Sequence, residues 1–263
     1  MKKKAIFFDI DGTIMTEDNH IIPKSTIKSL KKAKENGHLL FINTGRTFHA
    51  IPKEIKDLEF NGYVCGCGTH IYYNGKAIFE KELSNEKCRE IVEKLREYDI
   101  TAIPEGNEAV YFDNSKPLTK ELVEIKEMFK KQGIDTTKTW DDENLNFSKF
   151  VMWINKNSKK DEFFEYILDE FDYIDRGDDF FEIVPKGFSK ATGIEYIQEH
   201  LDIELEDCFA IGDSNNDLPM FNYISNSIAM GNSHPSLFDI VSFVTKRIED
   251  DGIEHALKHF RII

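Results

Sequence analysis

The sequence predicts an α/β fold, a doubly wound parallel sheet into which a smaller α+β domain is inserted. Three observations predict it. The apolar runs Ala5-Ile6-Phe7-Phe8, Leu39-Leu40-Phe41-Ile42 and Cys208-Phe209-Ala210-Ile211 are continuous rather than alternating, as in strands buried on both faces. Helical patterns alternate with such runs in both end segments, 1–83 and 187–263. The middle segment, 84–186, has a different grain and reads as a separate insert.

The first strand is Ala5–Phe8. Residues 23–36 carry helical periodicity, with Ile27, Leu30 and Ala33 on one face and Gly37 as the stop. Residues 39–42 form the next strand. In the insert, 100–104 and 108–112 predict a hairpin around Gly106-Asn107, 118–131 a helix, 149–154 a strand, 161–171 a helix and 180–184 a strand. Pro185-Lys186-Gly187 supplies a hinge. The α/β pattern then resumes with a helix over about 190–200 and strands at 208–211, 227–230 and 241–244. The sequence shows no internal repeat.

At 263 residues the chain can bury a full core. Its 40% hydrophobic and 31% charged residues exclude a disordered or low-complexity chain. The apolar run behind Met1-Lys2-Lys3-Lys4 is too short for a secretion signal, and no run approaches the roughly 18 apolar residues that span a bilayer. The expectation is a cytoplasmic protein. A net charge of -14 argues against nucleic-acid partners, which require a concentrated basic surface. Residues 84–185 hold 25 acidic against 15 basic side chains, so most of that excess lies in the insert, on a solvated face or as a barrier to polyanionic substrates. Cys65, Cys67, Cys88 and Cys208 lack the paired clusters of a structural zinc site and are expected to be reduced, buried thiols.

Ligands of open parallel sheets gather outside the carboxyl ends of strands, so motifs directly behind buried strands are candidate neighbours. Asp9-Ile10-Asp11-Gly12-Thr13 follows the first strand. Gly12 turns the chain sharply, Thr13 can bond nearby backbone, and of the two carboxylates one can attack phosphorus while the other moves protons. A plain acidic turn is the competing reading of this pentapeptide. Asn43-Thr44-Gly45-Arg46 follows the second strand. The Thr44 hydroxyl and the Gly45 N–H, close to a helix start, suit phosphate oxygens, and a helix cap at Thr44 is the alternative. Gly212-Asp213-Ser214-Asn215-Asn216-Asp217 follows 208–211, and Lys190 opens the helix behind the insert.

In this order and spacing the four motifs resemble the haloacid dehalogenase superfamily phosphatases, in particular the Cof-type branch with a large α/β cap inserted between the second and third motifs. The resemblance covers essentially the whole chain. It implies that Asp9 is the nucleophile, forming an aspartyl-phosphate, with its other oxygen on a magnesium ion. It implies that Asp11 is the general acid and base, with its backbone carbonyl on the metal, and that Asp213 completes the protein's ligands. Thr44, Gly45, Lys190 and Asn216 would hold the phosphate, and Asp217 would orient Lys190 or its loop. Unit charges at ~4 Å and an effective dielectric near 20 interact by about 4 kcal/mol, so two carboxylates facing a phosphate dianion need a hard cation between them. The chain departs from the branch at Ala191, where glycine is common, and at Val64-Cys65-Gly66-Cys67-Gly68-Thr69, where Asn-Gly-Ala is usual. His70 reads as structural, and Arg46 as a phosphate contact or a surface residue.

The implied substrate is a small phosphorylated metabolite of sugar-phosphate or pyridoxal-phosphate type, selected by the cap. Cap aromatics Trp140, Trp153, Phe180 and Phe181 are expected mainly in its core. A phosphomutase of the same superfamily is the runner-up, but it must hold a second phosphate in a net acidic cap whose arginines are Arg89, Arg96 and Arg176. A receiver-like phospho-acceptor module is the reading from another class. Receivers are much shorter, and their acceptor aspartate lies on a later strand.

Overall fold

The first elements in chain order are β1 (Ala5–Phe8), α1 (Lys24–Glu35), β2 (Leu39–Asn43), α2 (Lys53–Lys56), β3 (Gly62–Cys65), β4 (His70–Tyr73) and β5 (Lys76–Glu80). The insert brings α3 (Asn85–Glu97), β6 (Thr101–Glu105), α4 (Lys120–Lys131), β7 (Lys149–Trp153), α5 (Lys160–Ile167), β8 (Phe171–Asp175) and β9 (Phe180–Pro185). The chain closes with α6 (Lys190–Leu201), β10 (Cys208–Gly212), α7 (Leu218–Tyr223), β11 (Asn226–Ala229), β12 (Phe243–Val244) and α8 (Gly252–His259). The structure, a computed structural model, describes residues 2–263. It divides into two compact units, one of Met1–Gly45, Glu54–Phe79 and Phe188–Ile263, the other of Arg46–Lys53 and Glu80–Gly187.

The first unit is built on an eight-stranded sheet in the order β12-β11-β10-β1-β2-β3-β4-β5. The pairs from β12 to β3 are parallel and β3–β4 is antiparallel. A tight Asn74-Gly75 turn, both residues at positive φ, joins β4 to β5. β1 is central. Ala5 and Phe7 on one face pack with Ile194 and Ile197 of α6 and Met220 and Phe221 of α7. Ile6 and Phe8 on the other face are equally buried, which accounts for the unbroken apolar run. In α1 the buried stripe is Thr26, Ser29, Leu30 and Ala33. Ile27, expected on that face, is 42% exposed, because the i, i+3, i+4, i+7 row through Thr26 faces the sheet and Ile27 sits one step around the helix.

The second unit is a four-stranded antiparallel sheet, β6-β7-β9-β8. Alternation sorts its faces. Ala102, Phe150, Met152, Phe181 and Ile183 pack on α3 and α5, while Ile103, Val151 and Trp153 pack with Ala50, Phe112 and Leu122. Trp140 and Phe181 are core residues, and Trp153 stacks on Phe180 at 4.8 Å between centroids, both half-buried. Two expectations change here. The helix expected over 161–171 ends at Ile167, and Phe171 instead opens β8, opposite Pro185. Phe163, Ile167 and Phe171 fall four apart, which suits a continued helix, but pairing with β9 takes Phe171 into the sheet. The return over 108–112 makes only isolated bridges, among them Glu105 to Val110, because β6 takes β7 as its partner along its whole length.

All four cysteines are buried, and no disulfide occurs among the described residues. No helix of the described residues is long and apolar enough to cross a membrane.

Candidate active site

The sheet reverses its winding at β1, with β2 on one side and β10 on the other, and the carboxyl ends of these strands carry the motifs. Phe8 is level with both Ile42 and Ile211, so Asp9 emerges between the ends of β2 and β10, its N–H donating to the Ile211 carbonyl at 2.9 Å. Asp9 is 4% exposed.

Lys190 reaches Asp9 from α6. Ser189 caps that helix, accepting from the N–H groups of Ala191 and Thr192, and the Thr192 hydroxyl accepts in return from the Ser189 N–H. Ala191 therefore fits the helix start without a glycine. The Asn43 side chain donates to the Lys190 carbonyl at 2.9 Å and holds the first turn against β2. From there the Lys190 Nζ, wholly buried, lies 2.7 Å from Asp9 Oδ1 and 2.6 Å from Asp217 Oδ1. Asn216 Oδ1 is more distant, at 3.5 Å. Asp217 is fixed in turn, its Oδ2 accepting from the N–H groups of Asp213 at 2.8 Å and Ser214 at 3.0 Å.

Asp213 lies beside the first motif. The Thr13 N–H donates to the nearby Ile10 carbonyl at 3.2 Å, as expected of it, and its hydroxyl donates to a distant carboxylate, Asp213 Oδ1, at 3.1 Å. Gly12, at φ +74°, leaves no room for a side chain, since a Cβ there would lie 2.2 Å from Asp213 Oδ2. Asp11 is half-buried in the turn, close enough for its charge to act on Asp9.

Electrostatics show what the cluster lacks. Burial pushes Asp9 up to about 7, opposed by Lys190 and reinforced by Asp217 and Asp11. Burial and the charges of Asp9 and Asp217 push Asp213 up to about 8. Burial alone would lower Lys190, but Asp217 and Asp9 outweigh it and hold the ammonium above its ordinary range. Three buried carboxylates thus face one ammonium. Asp9, Asp213 and Asp217 each offer an oxygen within 4.8 Å of the others, a donor set that suits a hard divalent cation. Asp217 already accepts three N–H groups, which leaves Asp9 and Asp213 as the side chains with oxygens to give.

Thr44 and Gly45 stand at the neighbouring strand end, with Thr44 buried and its N–H on the Val64 carbonyl at 2.9 Å. The helix start expected close behind Gly45 is a three-residue 3-10 turn, Phe48–Ala50, and α2 begins only at Lys53. Arg46 belongs to the other unit, where it donates to the Ala50 carbonyl at 3.0 Å. Asn216 is 7% exposed and accepts from the Ser214 hydroxyl at 2.7 Å. His70 is buried beside Thr69, Nδ1 to Oγ1 3.0 Å.

Sequence reasoning passed over Ser189, and it named Asn43 and the 66–68 turn without seeing that they support the site. Gly66, Cys67 and Gly68 all have positive φ, and a Cβ on Gly68 would lie 2.5 Å from the Ser189 carbonyl, so this turn seats the start of α6. Its two glycines around Cys67 were the available signal.

A sequence family described as haloacid dehalogenase-like hydrolase matches residues 6–257. The Bacillus subtilis (strain 168) protein named "Putative phosphatase YkrA" is 30% identical over all of both chains. A Yersinia enterocolitica protein named HMP-PP phosphatase is 24% identical over 96% of this chain and 93% of its own. Among solved structures, the HAD subclass IIB sugar phosphatase BT4131 superposes with a TM-score of 0.84 at 27% identity, covering 99% of this chain and 100% of the other.

Proposed function

We propose that this chain, which belongs to the haloacid dehalogenase-like hydrolase family, is a magnesium-dependent phosphatase of small phosphorylated metabolites, working through an aspartyl-phosphate on Asp9. The observation that carries the reading is the placement of a buried Asp9 carboxylate 2.7 Å from the Lys190 ammonium and beside Asp213, three residues from three distant motifs. When bound between Asp9 and Asp213, with the Asp11 carbonyl as a further ligand, magnesium would lower the repulsion between carboxylate and phosphate dianion.

One Asp9 oxygen attacks phosphorus as the ester P–O bond breaks. Asp11 gives a proton to the leaving alkoxide and then takes one from the water that cleaves the aspartyl-phosphate, releasing inorganic phosphate and restoring Asp9. Lys190, Asn216, Thr44 and Gly45 hold the phosphate oxygens. Lys190 neutralises charge as it moves from ester to phosphate, and Asp217, at 2.6 Å, keeps its ammonium aimed at Asp9. The inserted unit supplies selectivity, since residues that grip only phosphate cannot tell one ester from another. A leaving group of sugar type agrees with the name of one structural neighbour, the sugar phosphatase BT4131.

Phosphate release from a panel of esters with magnesium tests the reading. Asp9→Asn should abolish turnover with the fold intact, and activity within about tenfold of wild type would refute covalent catalysis by Asp9. Excess chelator should silence the enzyme, and full activity in it would contradict the metal assignment.

A further inference from the structure

Asn232 belongs to none of the motifs above, yet it reaches the centre of the first one across 220 residues of sequence. It follows β11, and its side chain joins two loops. Nδ2 donates to the Gly12 carbonyl at 2.8 Å, and Oδ1 accepts from the Ile248 N–H at 3.0 Å. The Ile248 loop is itself anchored to the sheet edge, where the Thr245 N–H donates to the Ala229 carbonyl at 2.9 Å and the Gly231 N–H to the Lys246 carbonyl at 3.0 Å.

Gly12 is therefore held at both ends. Its N–H donates to the Met15 carbonyl at 2.8 Å, its carbonyl accepts from Asn232, and its Cα is pressed against Asp213. Asp11 shares a peptide unit with that N–H, so the direction of the Asp11 side chain follows the orientation of the turn. We propose that Asn232 is a positioning residue for Asp11, fixing the turn that aims the Asp11 carboxyl at the leaving oxygen; this rests on the acid–base reading of Asp11 above.

The amide is the group this place requires, one donor for Gly12 and one acceptor for Ile248 at once; a carboxylate offers only acceptors. A cleft of about 190 Å³ borders the clamp, lined by Gly12, Asp213, Asn232 and Arg247 among others. Without the amide, water from this cleft takes its place on the Gly12 carbonyl, and water satisfies the carbonyl without fixing its direction.

The test separates aim from architecture by leaving group. An alkyl phosphate needs a proton on its leaving oxygen, whereas p-nitrophenyl phosphate releases a stable phenolate without one. kcat/KM reports only the steps through formation of the aspartyl-phosphate, and is measured with magnesium for both esters on wild type, Asn232→Ala and Asn232→Asp. The Asp variant keeps the acceptor for Ile248, loses the donor to Gly12 and adds a negative charge, whereas the Ala variant loses donor and acceptor without adding charge. Misplacing a general acid by a fraction of an ångström should lower kcat/KM for the alkyl ester roughly 10- to 100-fold and for the aryl ester less than about 3-fold. Equal losses on the two esters, or an unchanged alkyl rate in both variants, would overturn the proposal. Both esters are taken from those the wild type hydrolyses in the panel, and a wild-type chain that releases phosphate from no ester of the panel removes the phosphatase reading itself, and this inference with it.

Discussion

Replacing Lys190 with methionine tests the electrostatic core of the site. The substitution nearly conserves volume and removes only the ammonium, which lies 2.7 Å from Asp9 and 2.6 Å from Asp217 with no solvent exposure. Deleting one partner of a buried ion pair costs about 3–5 kcal/mol because the other charge is left uncompensated, and here two carboxylates are left. For a chain of this size each kcal/mol moves the melting temperature by roughly 2–4 °C, so metal-free Lys190→Met should melt roughly 6–20 °C below wild type at pH 8.

The deficit should shrink at pH 5. Without the ammonium the buried carboxyls bind protons more tightly still, and a folded state that keeps protons the unfolded chain has released loses stability as pH rises above about 4. Calorimetry in chelator is the assay. Tryptophan fluorescence would follow the wrong unit, since Trp140 and Trp153 both lie in the unit that does not contain Lys190. A loss below about 1 kcal/mol at pH 8, or a larger deficit at pH 5 than at pH 8, would refute the claim that Lys190 compensates buried charge.

In wild type, Asp9 is raised to about 7 and Asp213 to about 8, so the unfolded chain releases these protons first and metal-free stability should fall from pH 5 to pH 8.5. Magnesium competes with those protons, so its stabilising shift should be larger at pH 8.5 than at pH 6; an equal shift at both would contradict the assignment of Asp9 and Asp213 as ligands. Gly12→Ala places a Cβ 2.2 Å from Asp213 Oδ2 at φ +74°, costing about 1–2 kcal/mol from backbone alone and displacing the carboxylate proposed as a metal ligand. Its melting temperature should no longer respond to magnesium, and a wild-type response would show that Asp213 tolerates the displacement.

Much of the site was legible because its residues sit directly behind continuous apolar runs, and strand ends are local features. Asp9, Lys190, Asp213, Asn216 and Asp217 meet at one rim. The supporting contacts were not legible. Asn43 to Lys190, Gly68 to Ser189 and Asn232 to Gly12 join segments from 121 to 220 residues apart, and no periodicity or turn rule encodes such a pairing. Phe171 failed for a related reason: its spacing served a helix and a strand alike, and only the partner strand β9 chose between them.

The sequence by itself determined the chemistry on offer and the strands that carry it, because carboxylates, turn glycines and doubly buried strands leave signals within a few residues. The resemblance implied that Asp213 rather than Asp217 stays available, but the physical reason was supplied only by the tertiary structure. Asp217 and Asp213 look alike in one hexapeptide, but folding spends the oxygens of Asp217 on Lys190 and on two backbone N–H groups and leaves those of Asp213 beside Asp9. Hydrogen-bond saturation and desolvation depend on what surrounds a side chain in space, and that neighbourhood exists only once the strands have paired.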